Sequence, residues 1–373
     1  MKPQHFLGDP IKADLRTSIR TGDLKPGEQL PPFRALAEHY KVSLNTIQRV
    51  IREMVAEKVL ETTHGRGTFV ASSKRLSSAT PFGVGVYART TGDFYSEVFA
   101  TLRDALNGFG AASIVLDPEQ VSSAYLRQLR LRELLSGRST ALVVDGALDT
   151  NPALGKALLG TELLRAAARL RDPIVINRWE HPETVDASFI LFDYEGAGYL
   201  AARYLHGLEH RRIAFHSFGN PLAPHAYEDD LYRGMQRFNQ EAGGPLRIEL
   251  VAPGREEGSA GTERMRAAFS RPDRPTAVML AADFLAEPWF MHLPRLGLRV
   301  PRDVSMVGFF NTPWTRRLPV SLTSVQFNVE KLALSVVQHI VAQREAERAT
   351  RERLLIEPSL VLCDSCAQLG SMD

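Results

Sequence analysis

The chain has 373 residues, 44% hydrophobic and 24% charged, with 45 Lys+Arg against 43 Asp+Glu and a formal net charge of +2. That length exceeds what one hydrophobic core organises, so two or three domains are expected, of ordinary globular composition. Two cysteines, Cys363 and Cys366, exclude a disulfide scaffold, and no His pair stands near them to complete a zinc site, so neither metal nor cofactor is expected. No run approaches about 18 consecutive apolar residues and no basic-then-apolar leader opens the chain, which predicts a cytoplasmic protein with no membrane partner.

Charge is unevenly placed. Residues 1–75 hold 13 Lys+Arg and 8 Asp+Glu, a net of +5, leaving −3 for the remainder and suggesting a basic arm. Ile11, Leu15 and Ile19 recur at four-residue spacing and predict a helix over 9–21. After the turn-rich stretch Gly22 to Pro31, a second helix is predicted near Phe33–His39 with Leu36 and Ala37 inward. Ser43 is suited to cap a third helix over Leu44–Glu57, whose Ile47, Val50, Ile51 and Met54 face a core. Leu60–Thr63 and Thr68–Val70 read as two short strands joined by the turn His64-Gly65-Arg66-Gly67.

Three helices and a hairpin make a winged helix, and in a helix-turn-helix the second helix of the motif enters the major groove by its N-terminal residues. Here these are Ser43, Leu44, Asn45, Thr46 and Gln48, with Arg49 and Arg52 further along, suited to phosphates. The segment resembles the GntR family of DNA-binding domains. The likeness is carried by Gly22-x-Leu24-x-Pro26-Gly27-x-x-Leu30-Pro31, Arg34-x-Leu36-Ala37, Val42-Ser43-x-Asn45-Thr46 and Leu60-Glu61 through Gly65-x-Gly67-Thr68-Phe69-Val70. It implies that Arg34, the start of the recognition helix and the wing turn (His64, Gly65, Arg66) touch double-stranded operator DNA. This chain departs from the family in having Pro32 where Ser is usual and Leu44 where Arg is frequent.

Residues 71–80, small and polar, read as a linker, which sets domains at 1–72 (DNA binding), 73–81 (linker) and 82–373 (effector binding and dimerisation). Beyond it, apolar runs at Phe82–Tyr87, Ser113–Leu116, Ala141–Val144, Pro173–Asn177, Phe189–Phe192, Ile213–Phe215, Ile248–Val251, Ala277–Leu280 and Ser305–Phe309 alternate with helical stretches at Phe94–Asn107, Tyr125–Leu135, Ala197–His206, Tyr227–Glu241 and Thr262–Phe269. Near-continuous apolar strands separated by helices predict parallel sheets covered on both faces. So many units exceed one sheet. The fold class is therefore α/β, an N-terminal winged helix-turn-helix plus a two-lobed domain of parallel sheets. Lobe 1 is expected at about 82–188 plus 329–356, and lobe 2 at about 189–328 plus the C-terminal strand.

His210-Arg211-Arg212-Ile213-Ala214 and Gly297-Leu298-Arg299-Val300-Pro301 through Val307-Gly308-Phe309 resemble the LacI-family effector domain, built like periplasmic sugar-binding proteins. A GntR-type head on such a body is the layout of the arabinose-repressor group. The resemblance implies a homodimer and a small-molecule effector, sugar or sugar-derived, held beyond the carboxyl ends of the strands, where effector binding closes the lobes. It points to Arg89, Asp93, Tyr95, Asn177, Arg178, Trp179, Asp193, Tyr227, Asp283, Phe310 and Phe327, with Asp283 more suited to supporting its loop. Tyr87, Trp289 and Trp314 are further aromatics expected near the cleft. Three positions that carry polar groups in sugar-binding relatives are apolar here, Leu231, Ala282 and Phe310, so a sugar is not held in the usual way. A body that dimerises without binding a ligand is the alternative.

Catalysis is not expected. An aminotransferase-like body needs a buried Lys, and after Arg75 only Lys156 and Lys331 occur, neither at a strand-end motif. No G-x-S-x-G, H-E-x-x-H or P-loop pattern is present.

Overall fold

A computed structural model describes residues 11–12, 14–15, 24, 28–56, 59–63, 67–70, 82–121, 123, 126, 129, 132–134, 139–146, 148, 173–178, 186–217, 227–251, 259–345 and 350–369. The chain divides into two compact units, one built on residues up to Pro81 and one on residues from Phe82 onward. The wing turn at 64–66, the linker at 71–80, most of the helix expected over Tyr125–Leu135, and Trp179 lie outside the described residues.

The first unit contains α1 (Phe33–His39), α2 (Leu44–Ala56) and the antiparallel pair β1 (Leu60–Thr63) and β2 (Gly67–Val70), registered Leu60 to Val70 and Thr63 to Gly67. α1 stops because Lys41 turns left-handed (φ 52), which lets the Val42 amide donate back to the Ala37 carbonyl and aims the chain into α2. The apolar face of α2 (Ile47, Val50, Ile51, Met54) packs with Ile11, Leu15, Leu30, Leu36, Leu60 and Val70 into one small core. The Leu30 amide donates to the Thr68 carbonyl and the Val70 amide to the Glu28 carbonyl, so the segment before α1 adds a third edge to the wing sheet.

The second unit is α/β, as expected. Its first sheet has the order β13-β7-β6-β5-β3-β4, all parallel, from β3 (Phe82–Tyr87), β4 (Ala111–Leu116), β5 (Ser139–Asp145), β6 (Pro173–Asn177), β7 (Ser188–Phe192) and β13 (Arg353–Ile356). Its second sheet has the order β14-β12-β11-β10-β8-β9, from β8 (Arg212–His216), β9 (Arg247–Leu250), β10 (Ala277–Leu280), β11 (Ser305–Phe309), β12 (Thr323–Phe327) and an antiparallel edge strand β14 (Pro358–Val361). Among the helices are α3 (Asp93–Gly108), α4 (Tyr194–Gly207), α5 (Tyr227–Glu241), α6 (Ser259–Phe269), α7 (Ala286–His292) and α8 (Val329–Glu345). The central strands read as unbroken apolar runs because both faces are covered; Val84, Val86, Leu142, Val143 and Val144 are all buried.

The chain passes between the sheets after Phe192, after Phe327 and after Ile356, so three crossovers connect the two lobes. The strand at Ser188–Phe192, expected to open lobe 2, pairs instead between β6 and β13, so the first sheet runs through Phe192. Just past that crossover, α4 and α5 touch backbone to backbone. A Cβ on Gly198 would lie 1.9 Å from the Leu231 carbonyl, and one on Gly234 1.9 Å from the Glu195 carbonyl.

Candidate functional site

In the first unit the residues offered to DNA surround the start of α2. The Thr46 amide donates to Ser43 Oγ (3.2 Å), and the Ser43 and Thr46 hydroxyls stand 2.8 Å apart, so these two side chains build the helix N-terminus. Leu44, Asn45 and Gln48 are exposed on the opposite side from the core, and Leu44 keeps 38% of its surface in solvent. Arg49 lies 3.9 Å from Glu53 one turn on, and Arg52 is exposed. Arg34 is exposed on the first turn of α1, which starts at Pro32 without a side-chain cap.

In the second unit the expected effector residues gather where the carboxyl ends of the two sheets meet. Asn177 ends β6 with φ 71, and across it the Arg178 amide donates to the Ile176 carbonyl. A Cβ on Gly146 would strike the Arg178 carbonyl at 1.8 Å, so the ends of β5 and β6 are locked together and Arg178 is aimed at the other lobe. There the Arg178 Nε donates to Asp230 Oδ2 at 2.6 Å, both side chains buried, and Arg233 pairs with the other Asp230 oxygen. The Asn177 amide nitrogen donates to Asp145 (2.9 Å), while its oxygen accepts from the Tyr194 hydroxyl (2.6 Å). Asp93, at the start of α3, accepts from Trp314 Nε1 of lobe 2 (2.7 Å).

Aromatic rings fill the junction. Phe94 of lobe 1 stacks on Phe310 of lobe 2 with centroids 4.3 Å apart, and Phe192 stacks on Phe327 at 4.5 Å where two crossover strands end. Tyr194 meets Tyr227, Phe309, Phe310 and Phe327 within 6.4 Å, and Tyr227 lies parallel to Phe309. Burial drives the Tyr194 and Tyr227 phenols well above their ordinary pKa and that of Tyr95 up to about 12, so all three stay neutral. Arg89 sits with Cζ 4.3 Å over the Tyr95 ring and Nε 3.2 Å from Glu119. Phe310 is held at φ 90 and Asn311 at φ 51; a bulky side chain in that region is strained backbone, which collects at ligand clamps and switch points.

Several expected residues are placed elsewhere or occupied. Asp193 caps α4, accepting from the Gly196 amide at 2.7 Å. Asp283 is a buried clamp: Ser324 Oγ, the Thr312 amide and Thr312 Oγ1 all donate to it, and burial outweighs those bonds, pushing its carboxyl up to about 6. Tyr87 and Trp289 are core residues, fully buried in separate lobes, not cleft walls. Phe94 and Phe309 fall at strand ends where a ligand lining is expected from the sequence, whereas sequence reasoning passes over Phe192 and Tyr194 and does not single out Asp230, on the first turn of the Tyr227 helix. The only signal for them was adjacency to strand ends and to residues already chosen.

A hairpin-winged head whose recognition helix is capped and exposed, followed by a two-lobed body of parallel sheets, defines a class: DNA-binding transcriptional regulators that carry a receptor-like effector domain. Residues 7–70 match the profile of bacterial regulatory proteins of the gntR family, and residues 202–366 match the periplasmic binding protein-like domain. The chain is 24% identical over 367 residues to the arabinose metabolism transcriptional repressor of Geobacillus stearothermophilus, covering 96% of this chain and 97% of that one. It is 25% identical over 344 residues to the HTH-type transcriptional repressor PurR of Yersinia pestis, covering 88% and 95%. In fold, the body resembles a LacI transcriptional regulator from a Rhodococcus species, with a TM-score of 0.58, 22% identity, and 78% of this chain and 99% of that one covered. These relatives are regulators rather than enzymes. Among the described residues no helix is long and apolar enough to cross a membrane.

Proposed function

We propose that the chain is a cytoplasmic repressor that binds operator DNA as a homodimer and is released or retained by a small molecule lodged between the lobes. Arg34, Leu44, Asn45, Gln48 and Arg49 contact the DNA directly, with Ser43 and Thr46 holding the helix end and His64, Gly65 and Arg66 supplying the wing. Two-fold pairing of the bodies sets two heads on two half-sites. The effector alters lobe separation, and operator and effector then bias each other by a coupling of about 1–3 kcal/mol. The sugar class suggested by the name of the Geobacillus relative belongs to that protein.

The observation that carries this reading is the capped recognition helix with Leu44, Asn45 and Gln48 exposed beside basic side chains. The test is selection of operators from a random duplex library, followed by anisotropy titrations at several salt concentrations. Arg34→Ala is expected to weaken every selected operator and to flatten the logarithmic salt slope by about 1. Unchanged affinity and slope would remove Arg34 from the interface, and failure to enrich any sequence would sink the regulator reading.

A further inference from the structure

We propose that the inter-lobe site takes a flat, uncharged aromatic compound rather than a polyhydroxylated one; this rests on the effector-receptor reading above. A sugar is held by donors and acceptors matched to its hydroxyls, and each hydroxyl buried without a partner costs affinity. At this junction most of the described polar groups are engaged with one another, the exceptions being the buried Arg89 Nε, which faces Glu119 without a hydrogen bond, and His216 Nε2 at the end of β8. Arg178 donates to Asp230, Asp93 accepts from Trp314, and the Asn177 amide spans Asp145 and the Tyr194 hydroxyl. The Tyr227 hydroxyl donates to the Ala281 carbonyl, and Asp283 is consumed by Ser324 and Thr312. Each of the two guanidiniums already faces a carboxylate (Arg178 with Asp230, Arg89 with Glu119), so an anionic ligand gains no unshared cation among them.

What the junction offers is ring faces. Phe94 and Phe310 come from opposite lobes and stack at 4.3 Å, with Tyr194 edge-on and Tyr227 tilted against Phe310. A planar ligand needs about 3.5–4 Å on each face. Opening the lobes by one ring thickness therefore turns the Phe94–Phe310 stack into a slot with an aromatic wall on each side. The strain at Phe310 (φ 90) holds its ring toward the other lobe, where a relaxed backbone would let it turn away. An uncharged ring entering this slot exchanges one stacking contact for two and asks for no new hydrogen bond.

The experiment is a thermal-shift titration of the full chain with indole and p-cresol against L-arabinose, D-ribose, D-glucose and D-galactose at matched concentrations, repeated on Phe310→Leu and Phe94→Leu. The aromatic compounds are expected to raise the melting temperature with a mass-action dependence, the sugars to leave it unchanged, and each leucine variant to weaken the aromatic compounds roughly two- to tenfold. Stabilisation by a sugar alone overturns the aromatic assignment and leaves the receptor reading standing. An aromatic shift that neither leucine variant alters also overturns it, because the compound then binds elsewhere. Silence from both panels overturns it and favours a body that only pairs.

Discussion

Arg178 and Asp230 are both buried, at 5% and 8% side-chain exposure, and they join the end of β6 in one lobe to the first turn of α5 in the other. Breaking a buried pair by removing one partner costs about 3–5 kcal/mol, whereas replacing both by apolar groups of similar volume is near neutral. The two halves are not equivalent here, because Asp230 is also held by Arg233, whose side chain is 50% exposed. Arg178→Met therefore leaves Asp230 partly compensated and is expected at the lower end, about 3 kcal/mol. Asp230→Leu takes the main carboxylate from a nearly fully buried guanidinium and is expected at the upper end. At about 2–4 °C per kcal/mol for a domain of this size, the first should lower the body transition by about 6–12 °C in calorimetry and the second by more. The double variant should recover most of the loss. Single variants within about 1 kcal/mol of the parent, or losses that simply add in the double, would refute the claim that this pair is coupled across the lobes.

Other outcomes follow from the same structure. Leu44, exposed at the tip of the recognition helix, is expected to meet a thymine methyl; Leu44→Arg should shift selection at that half-site position to guanine, and deoxyuridine in place of the thymine should weaken the parent alone. Asp283 has its folded pKa near 6, above the ordinary 3.8, so its contribution to stability is complete below about pH 4 and fades as pH rises through 6. Melting curves from pH 4 to 7 should show this decline in the parent and a flatter profile in Asp283→Asn. Cys366, its thiol raised to about 11 by burial, should resist alkylation at pH 8 in the folded chain; rapid labelling there would contradict its placement.

The head was legible in the sequence because its signals are local: an i, i+3, i+4 stripe on α2, Ser43 before it, and two short strands after it all recur as structure. The body's strands were legible because doubly covered parallel strands are apolar end to end, and every expected run is a strand. What stayed hidden depends on which way a side chain points. Tyr87 ends β3 and Phe192 ends β7, and nothing in the apolar run tells which ring enters the core and which faces the junction. Asp230 sits in the acidic first turn Glu228-Asp229-Asp230, which reads as a solvated helix start, while its partner is 52 residues away. The same blindness misplaced the Ser188–Phe192 strand, since strand membership depends on neighbours far along the chain.

The glycine contacts between α4 and α5 have a mechanical consequence. α4 begins at the crossover residue Asp193, and α5 carries Tyr227 and Asp230 at its leading end. With Gly198 and Gly234 seated on the opposing main chain, the two helices have no side-chain cushion across which to slip. Such packing favours their moving together, so that rotation at the crossover would carry with it the acid that grips Arg178. Enlarging either glycine would pry the two helices apart and disconnect the crossover from the grip, even with every residue at the junction left intact.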